Sequence, residues 1–198
     1  MSREIGDRRS EGACFGNLGA IHSNLNNLEQ ARNLYHQALM ISTEINDKPG
    51  IEGALGNLGN INSMLGEYHE GITQYKKALA ISMEIGNIQD EAIWLGNIAR
   101  SYTALGELTQ SEKHYKKALE LSIQLGDKLR EGYFHSGLAD CYYLSNNIKQ
   151  AEHQYNNAIN ILSTILEKDH SYLKSIYDKL NRLHNTYDNY NKKARTEG

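Results

Sequence analysis

Apolar side chains recur along this chain at steps of three and four, as they do on one face of a helix, and the whole pattern returns every 40 residues. Leu18, Leu58, Ile98 and Leu138 form one such column, Tyr35, Tyr75, Tyr115 and Tyr155 a second, and Ala38, Ala78, Ala118 and Ala158 a third. No stretch alternates apolar and polar residues as a half-buried strand would. The segments 6–45, 46–85, 86–125 and 126–165 align without a gap, and each predicts a pair of helices.

The ends of those helices are written in the sequence. Each repeat opens on Gly6-Asp7, Asn46-Asp47, Gly86-Asn87 or Gly126-Asp127, and breaks midway at Asn26-Asn27, Gly66-Glu67, Gly106-Glu107 or Asn146-Asn147. The leading Gly or Asn tolerates the left-handed backbone that ends a helix, and an Asp or Asn after it can cap the next one. Pro49 belongs in a first helical turn, where its missing N–H costs nothing. In the first repeat the helices are expected from Asp7 to Leu25 and from Leu28 to Ile45.

Small residues mark where two helices of a hairpin meet. Gly19, Gly59, Ala99 and Ala139 form one column and Ala31, Gly71, Ser111 and Ala151 another, with the Leu18 column filling space around them. The tyrosines are expected to pack between successive hairpins with their hydroxyls near the surface.

Both ends depart from the repeat. Residues 1–5 align with the last turn of a second helix (Ile41–Ile45, Ile81–Ile85, Leu121–Leu125), which makes them the remnant of a preceding repeat and favours a chain cut from a longer array. Residues 166–193 carry Leu173, Ile176, Leu180, Leu183 and Tyr187 as one apolar stripe on a polar helix. That suits a C-terminal capping helix; a homodimer seam is possible there but disfavoured, because about two heptads is short for a coiled coil. Residues 194–198 are expected to fray.

Composition narrows the function. Hydrophobic residues make up 39% and charged residues 23% of the 198 positions, and the mean hydropathy is −0.62, as suits a thin layer of helices. A net charge of −3 without a Lys/Arg block argues against nucleic acid as a partner, and no apolar run is long enough for a membrane span. Cys14 and Cys141 lack metal-ligand spacing and are expected to be reduced, buried thiols of a cytoplasmic protein. The eight histidines form no HxxxH or HExxH pattern, and the recurring Ser42, Ser82 and Ser122 have no adjacent base. No enzyme, metal or cofactor is expected. The Lys76-Lys77 and Lys116-Lys117 pairs are expected on a solvated convex face.

The run Leu55-Gly-Asn-Leu-Gly59, then Leu65-Gly66-Glu67-Tyr68, then Tyr75-Lys-Lys-Ala-Leu79, resembles a tetratricopeptide (TPR) repeat. All four repeats match, over residues 6–165. The 40-residue length resembles the long repeats of Pins/LGN-type scaffolds, bacterial multi-TPR proteins and signalling ATPases with TPR sensors. The resemblance implies an all-α right-handed superhelical solenoid of antiparallel hairpins whose first helices line a concave groove. By the same resemblance, Asn17, Asn57 and Asn97 face that groove and clamp the backbone of an extended peptide or partner protein. The next column, Ala20, Asn60, Arg100 and Asp140, would supply selectivity, followed one turn on by Asn24, Met64, Ala104 and Leu144 with Tyr143 beside them. Arg100 could take a ligand carboxylate, pair with Asp140, or stand in solvent. The fourth repeat, with Ser136-Gly137 in place of Gly-Asn, is expected to engage a ligand less. The resemblance also allows two other functions. One is a regulatory, sensor or assembly segment acting on other domains of a longer parent chain; the other is a receptor for a bacterial peptide pheromone.

Overall fold

A computed structural model of the protein describes the backbone of residues 2–196 and the side chains of residues 7–185. The described residues form α1 (Ser2–Asn24), α2 (Leu28–Glu44), α3 (Lys48–Met64), α4 (Tyr68–Ile85), α5 (Ile88–Ala104), α6 (Leu108–Leu125), α7 (Lys128–Leu144), α8 (Ile148–Leu162) and α9 (Ser171–Thr196), with no strand among them. Met1 and residues 197–198 lie outside the description, so the expectations of a repeat remnant at 1–5 and a frayed tail at 194–198 fall partly outside it.

Helices stop where the Gly and Asn residues allow it. Asn26, Asn46, Asn146, Gly66, Gly86, Gly106 and Gly126 all have positive φ, from 53° to 81°. Asn87, Asp127 and Asn147 each accept a hydrogen bond from the backbone N–H three residues on, satisfying an otherwise orphaned donor. Asn27 and Asp47 make no such bond. The expected break at Gly6-Asp7 is absent, because α1 runs continuously through both residues.

The chain divides into two compact units, Met1–Leu105 and Gly106–Gly198. In the first, α1 to α5 pack each on the next. Leu58 and Ile61 sit with Ala31 and Tyr35 in one cluster, and Leu55, Ile72, Tyr75, Ala78, Trp94 and Ile98 form a second. The small-residue column does what its size permits. A Cβ built on Gly59 would come within 2.6 Å of the Tyr75 ring, so the ring lies directly on helix α3. The same ring stacks on Trp94 of α5, with centroids 6.1 Å apart at 21°. Tyr75 thus packs within its hairpin as well as against the next one. Contrary to expectation it has no exposure at all, and its hydroxyl is directed to a protein acceptor rather than to water.

One buried polar group holds the same layer. Glu52 is 3% exposed and accepts hydrogen bonds from Trp94 Nε1–H at 2.9 Å and from the Ser82 hydroxyl. Such a buried group persists because it is bonded.

The first hairpin breaks the pattern of its successors. Leu18 is 45% exposed where Leu58 is 1%, and Cys14 is exposed rather than buried. In α3 these columns are covered by the helix before it; α1 has no such neighbour among the described residues.

In the second unit, α6, α7, α8 and α9 again pack in sequence. Leu173, Ile176, Leu180 and Leu183 of α9 are all buried, so its apolar stripe is used within the fold, while Tyr187 lies outside the described side chains. Tyr172 of α9 meets Tyr133 edge to face, with centroids 4.7 Å apart. Among the described residues no helix is long and apolar enough to cross a membrane, and no His, Cys, Asp or Glu cluster could hold a metal ion.

Candidate functional site

Helix periodicity places Asn57, Asn60 and Met64 along one line of α3, and Asn97, Arg100 and Ala104 along the matching line of α5. Four of these residues, Asn60, Met64, Arg100 and Ala104, line an open cleft of about 530 Å³ in the first unit. Ser23, Ser63, Tyr68 and Ser101 complete it. Its polar side therefore consists of hydroxyls, one amide and one guanidinium. Its apolar side is Met64, Ala104 and the Tyr68 ring. No carboxylate lines it.

The polar side chains are linked. The Tyr75 hydroxyl donates to Asn60 Oδ1 at 2.7 Å and lies 3.4 Å from Ser63 Oγ, which is also 3.4 Å from Ser101 Oγ. Ser101 donates in turn to the Asn97 carbonyl at 3.0 Å. Burial raises the Tyr75 phenol above its ordinary pKa, while the Ser63 bond and the nearby Arg100 guanidinium act in the opposite direction. Arg100 is exposed and forms no ion pair among the described residues, and its guanidinium interacts with the Tyr75 hydroxyl.

Asn57 and Asn97 are half-buried, and Asn17 is exposed. Their side chains form no hydrogen bond within the described residues. None of the three lines the cleft itself, and Asn24 is exposed outside it.

The second unit treats the equivalent of Asn60 differently. Asp140 accepts from the Tyr155 hydroxyl and is held at 2.9 and 2.7 Å, one distance per carboxylate oxygen, by the Lys179 ammonium of α9. Burial, followed by the Asp140 carboxylate, pushes the Tyr155 phenol far above the usual range. Tyr143 is 38% exposed, and its phenol adds a smaller upward push on Tyr155.

Four cleft residues, Ser23, Ser63, Tyr68 and Ser101, went unread in the sequence, and two of them leave a trace there. Ser101 stands in the column of Ile21 and Ile61, and Tyr68 in that of Leu28, Leu108 and Ile148. A polar group in an otherwise aliphatic column was the available signal. Ser63 follows Ser23 in its own column and shows no such departure.

The family model for the tetratricopeptide repeat matches residues 11–84, 50–121 and 90–164. The chain belongs to the tetratricopeptide repeat family. No curated protein sequence matches it significantly. Among solved structures, BtubC (BKLC) from P. vanneervenii is similar over 96% of this chain and 83% of its own, with 21% identity and a TM-score of 0.79. RapI in its apo form is similar over 91% of this chain and 65% of its own, at 18% identity and a TM-score of 0.81. The Pyrococcus horikoshii signal transduction ATPase with numerous domains, which carries a tetratricopeptide repeat sensor, matches 89% of this chain and 26% of its own, at 19% identity and a TM-score of 0.74. At such identities the likeness establishes a shared fold. This tetratricopeptide chain is accordingly an all-α repeat scaffold.

Proposed function

We propose that the first unit holds an extended peptide, or an extended segment of a partner protein, along the lines Asn57–Asn60–Met64 and Asn97–Arg100–Ala104. The observation that carries this is the state of Asn57 and Asn97, whose amides are partly exposed and unbonded within the described chain. An amide offers a donor and an acceptor, which is what a peptide unit in extended conformation requires.

The test is a selection of dodecapeptides from a random display library on the full chain, repeated with the N57A/N97A double variant. Two lost hydrogen bonds should weaken recovered binders about tenfold or more, with the melting temperature unchanged. Binders indifferent to both substitutions would refute the clamp.

A second reading draws on the likeness to the P. horikoshii protein, a signal transduction ATPase with a tetratricopeptide repeat sensor. Here the same groove serves as a regulatory segment within a larger polypeptide. Capture of free peptide by the isolated chain favours the first reading; no capture by the chain favours the second.

A further inference from the structure

Three columns on the first helices of the repeats set α1 apart from its successors. Ala54, Leu58 and Ile61 of α3, Trp94, Ile98 and Ser101 of α5, and Phe134, Leu138 and Cys141 of α7 are all buried. Their equivalents on α1, Cys14, Leu18 and Ile21, are all exposed, Leu18 by 45% and Ile21 by 53%. In the later repeats the second helix before each column packs on it: α2 on α3, α4 on α5 and α6 on α7. Ala31 and Tyr35 of α2, with Leu28 and Leu39 beside them, close over Leu58 and Ile61. At the other first helix of known cover, the Cys141 thiol donates to the Leu108 carbonyl of α6 at 3.2 Å. The covering face has one spacing, Leu28, Ala31, Tyr35 and Leu39 in α2 and Leu108, Ser111, Tyr115 and Leu119 in α6.

The composition of α1 suits the same cover. Residues 12–28 contain no Asp, Glu, Lys or Arg, whereas a helix face meant for water is normally charged. Cys14, Leu18 and Ile21 follow one another at single-turn steps along one side of the helix. One polar group points the same way. His22 Nδ1 is buried with no hydrogen-bond partner among the described residues. In its column the Tyr102 hydroxyl accepts from Lys76 of α4, and the Tyr142 hydroxyl donates to Glu112 of α6. Each of those partners belongs to the covering helix.

We propose that the Cys14–Leu18–Ile21 face of α1 docks an amphipathic helix of another polypeptide. That helix carries an aliphatic residue, a small one, an aromatic and a second aliphatic at the spacing of α2 and α6, and it lies on α1 as α2 lies on α3. A second copy has no such helix to offer. Its own second helices α2, α4, α6 and α8 are already packed on α3, α5, α7 and α9. The face shares no residue with the line Asn57–Asn60–Met64, so it stands apart from the groove reading.

The probe is a fluorescein-labelled twenty-residue helix built of Ala, Glu and Lys, which are strong helix formers. It displays Leu, Ser, Tyr and Leu at the α6 spacing, and a control helix carries Gln at all four places. Anisotropy with the full chain should show binding of the first helix and not of the control. Ile21→Glu should weaken that binding about tenfold or more, because docking would then bury a charge. Ile21→Met should retain most of it, and N57A/N97A should leave it unchanged. Ile21 is exposed, so both of its variants should melt with the wild type. Binding indifferent to Ile21→Glu, or no binding of the first helix at all, overturns the docking face. Sedimentation velocity tests the other occupant. If the chain self-associates and Ile21→Glu makes it monomeric, a second copy covers the face and the partner-helix assignment fails.

Discussion

Asn60 with Tyr75 and Asp140 with Tyr155 occupy the same place in their repeats, 15 residues apart in each case, and in each the tyrosine hydroxyl donates to the residue beside the small helix contact. The difference lies in what completes the site. In the first unit an amide stands at an open cleft with a guanidinium that no carboxylate lining the cleft meets; in the second a carboxylate is closed off by a lysine from the final helix. One column of a repeat can therefore face an open cleft or be tied off by a cation, according to one side chain and the charge placed opposite it.

The comparison can be broken first at its shared element. Tyr75→Ala and Tyr155→Ala each remove a buried ring and should cost about 3–5 kcal/mol, read from denaturant unfolding. Equal losses would show that the ring does the same work in both units.

Removing only the hydroxyls sharpens the contrast. Tyr155→Phe gives up a bond to a charged acceptor and should cost about 1.5–3 kcal/mol, against about 1 kcal/mol for Tyr75→Phe. The same asymmetry should appear at alkaline pH. Both phenols are raised on folding, so each binds its proton more tightly in the folded state. Their contribution is complete below the unfolded value of about 10 and is lost as pH rises toward the folded value. Stability should therefore fall above about pH 10, and Tyr155→Phe should flatten that fall more than Tyr75→Phe. A phenolate titration followed by ultraviolet absorbance would check that Tyr155 ionises last.

Smaller effects address the closing lysine and the open amide. Lys179→Met should cost about 0.5–1 kcal/mol, because the pair is about one-third exposed and screened by water. Asn60→Asp copies the second unit's carboxylate into the first. Its effect on melting should stay within about 0.5 kcal/mol, read from thermal unfolding.

Much of this architecture was legible because a repeat states each rule several times. The Asn and Gly turns, the small contacts of Gly19 and Gly59, and the helical fold all follow from columns. Columns describe a residue's type, however, and not its neighbours. Leu18 and Leu58 read alike, yet only Leu58 is covered, because burial depends on a helix packed in front of it. Lys179 was hidden for a related reason. It lies in 166–193, outside the 40-residue register, so no column could pair it with Asp140. The Tyr75 hydroxyl was expected near water because tyrosines commonly sit that way; a polar acceptor one residue past Gly59 was the clue to its actual partner.

The packing of Trp94 also gives the protein a built-in optical probe. It is the chain's single tryptophan, 8% exposed, bonded through its indole N–H to Glu52 and stacked on Tyr75. Its emission therefore comes from one known layer, directly beneath the tyrosine that orients Asn60. A blue-shifted spectrum reports that layer intact, and a shift on peptide binding would register a change in the first unit without any label attached.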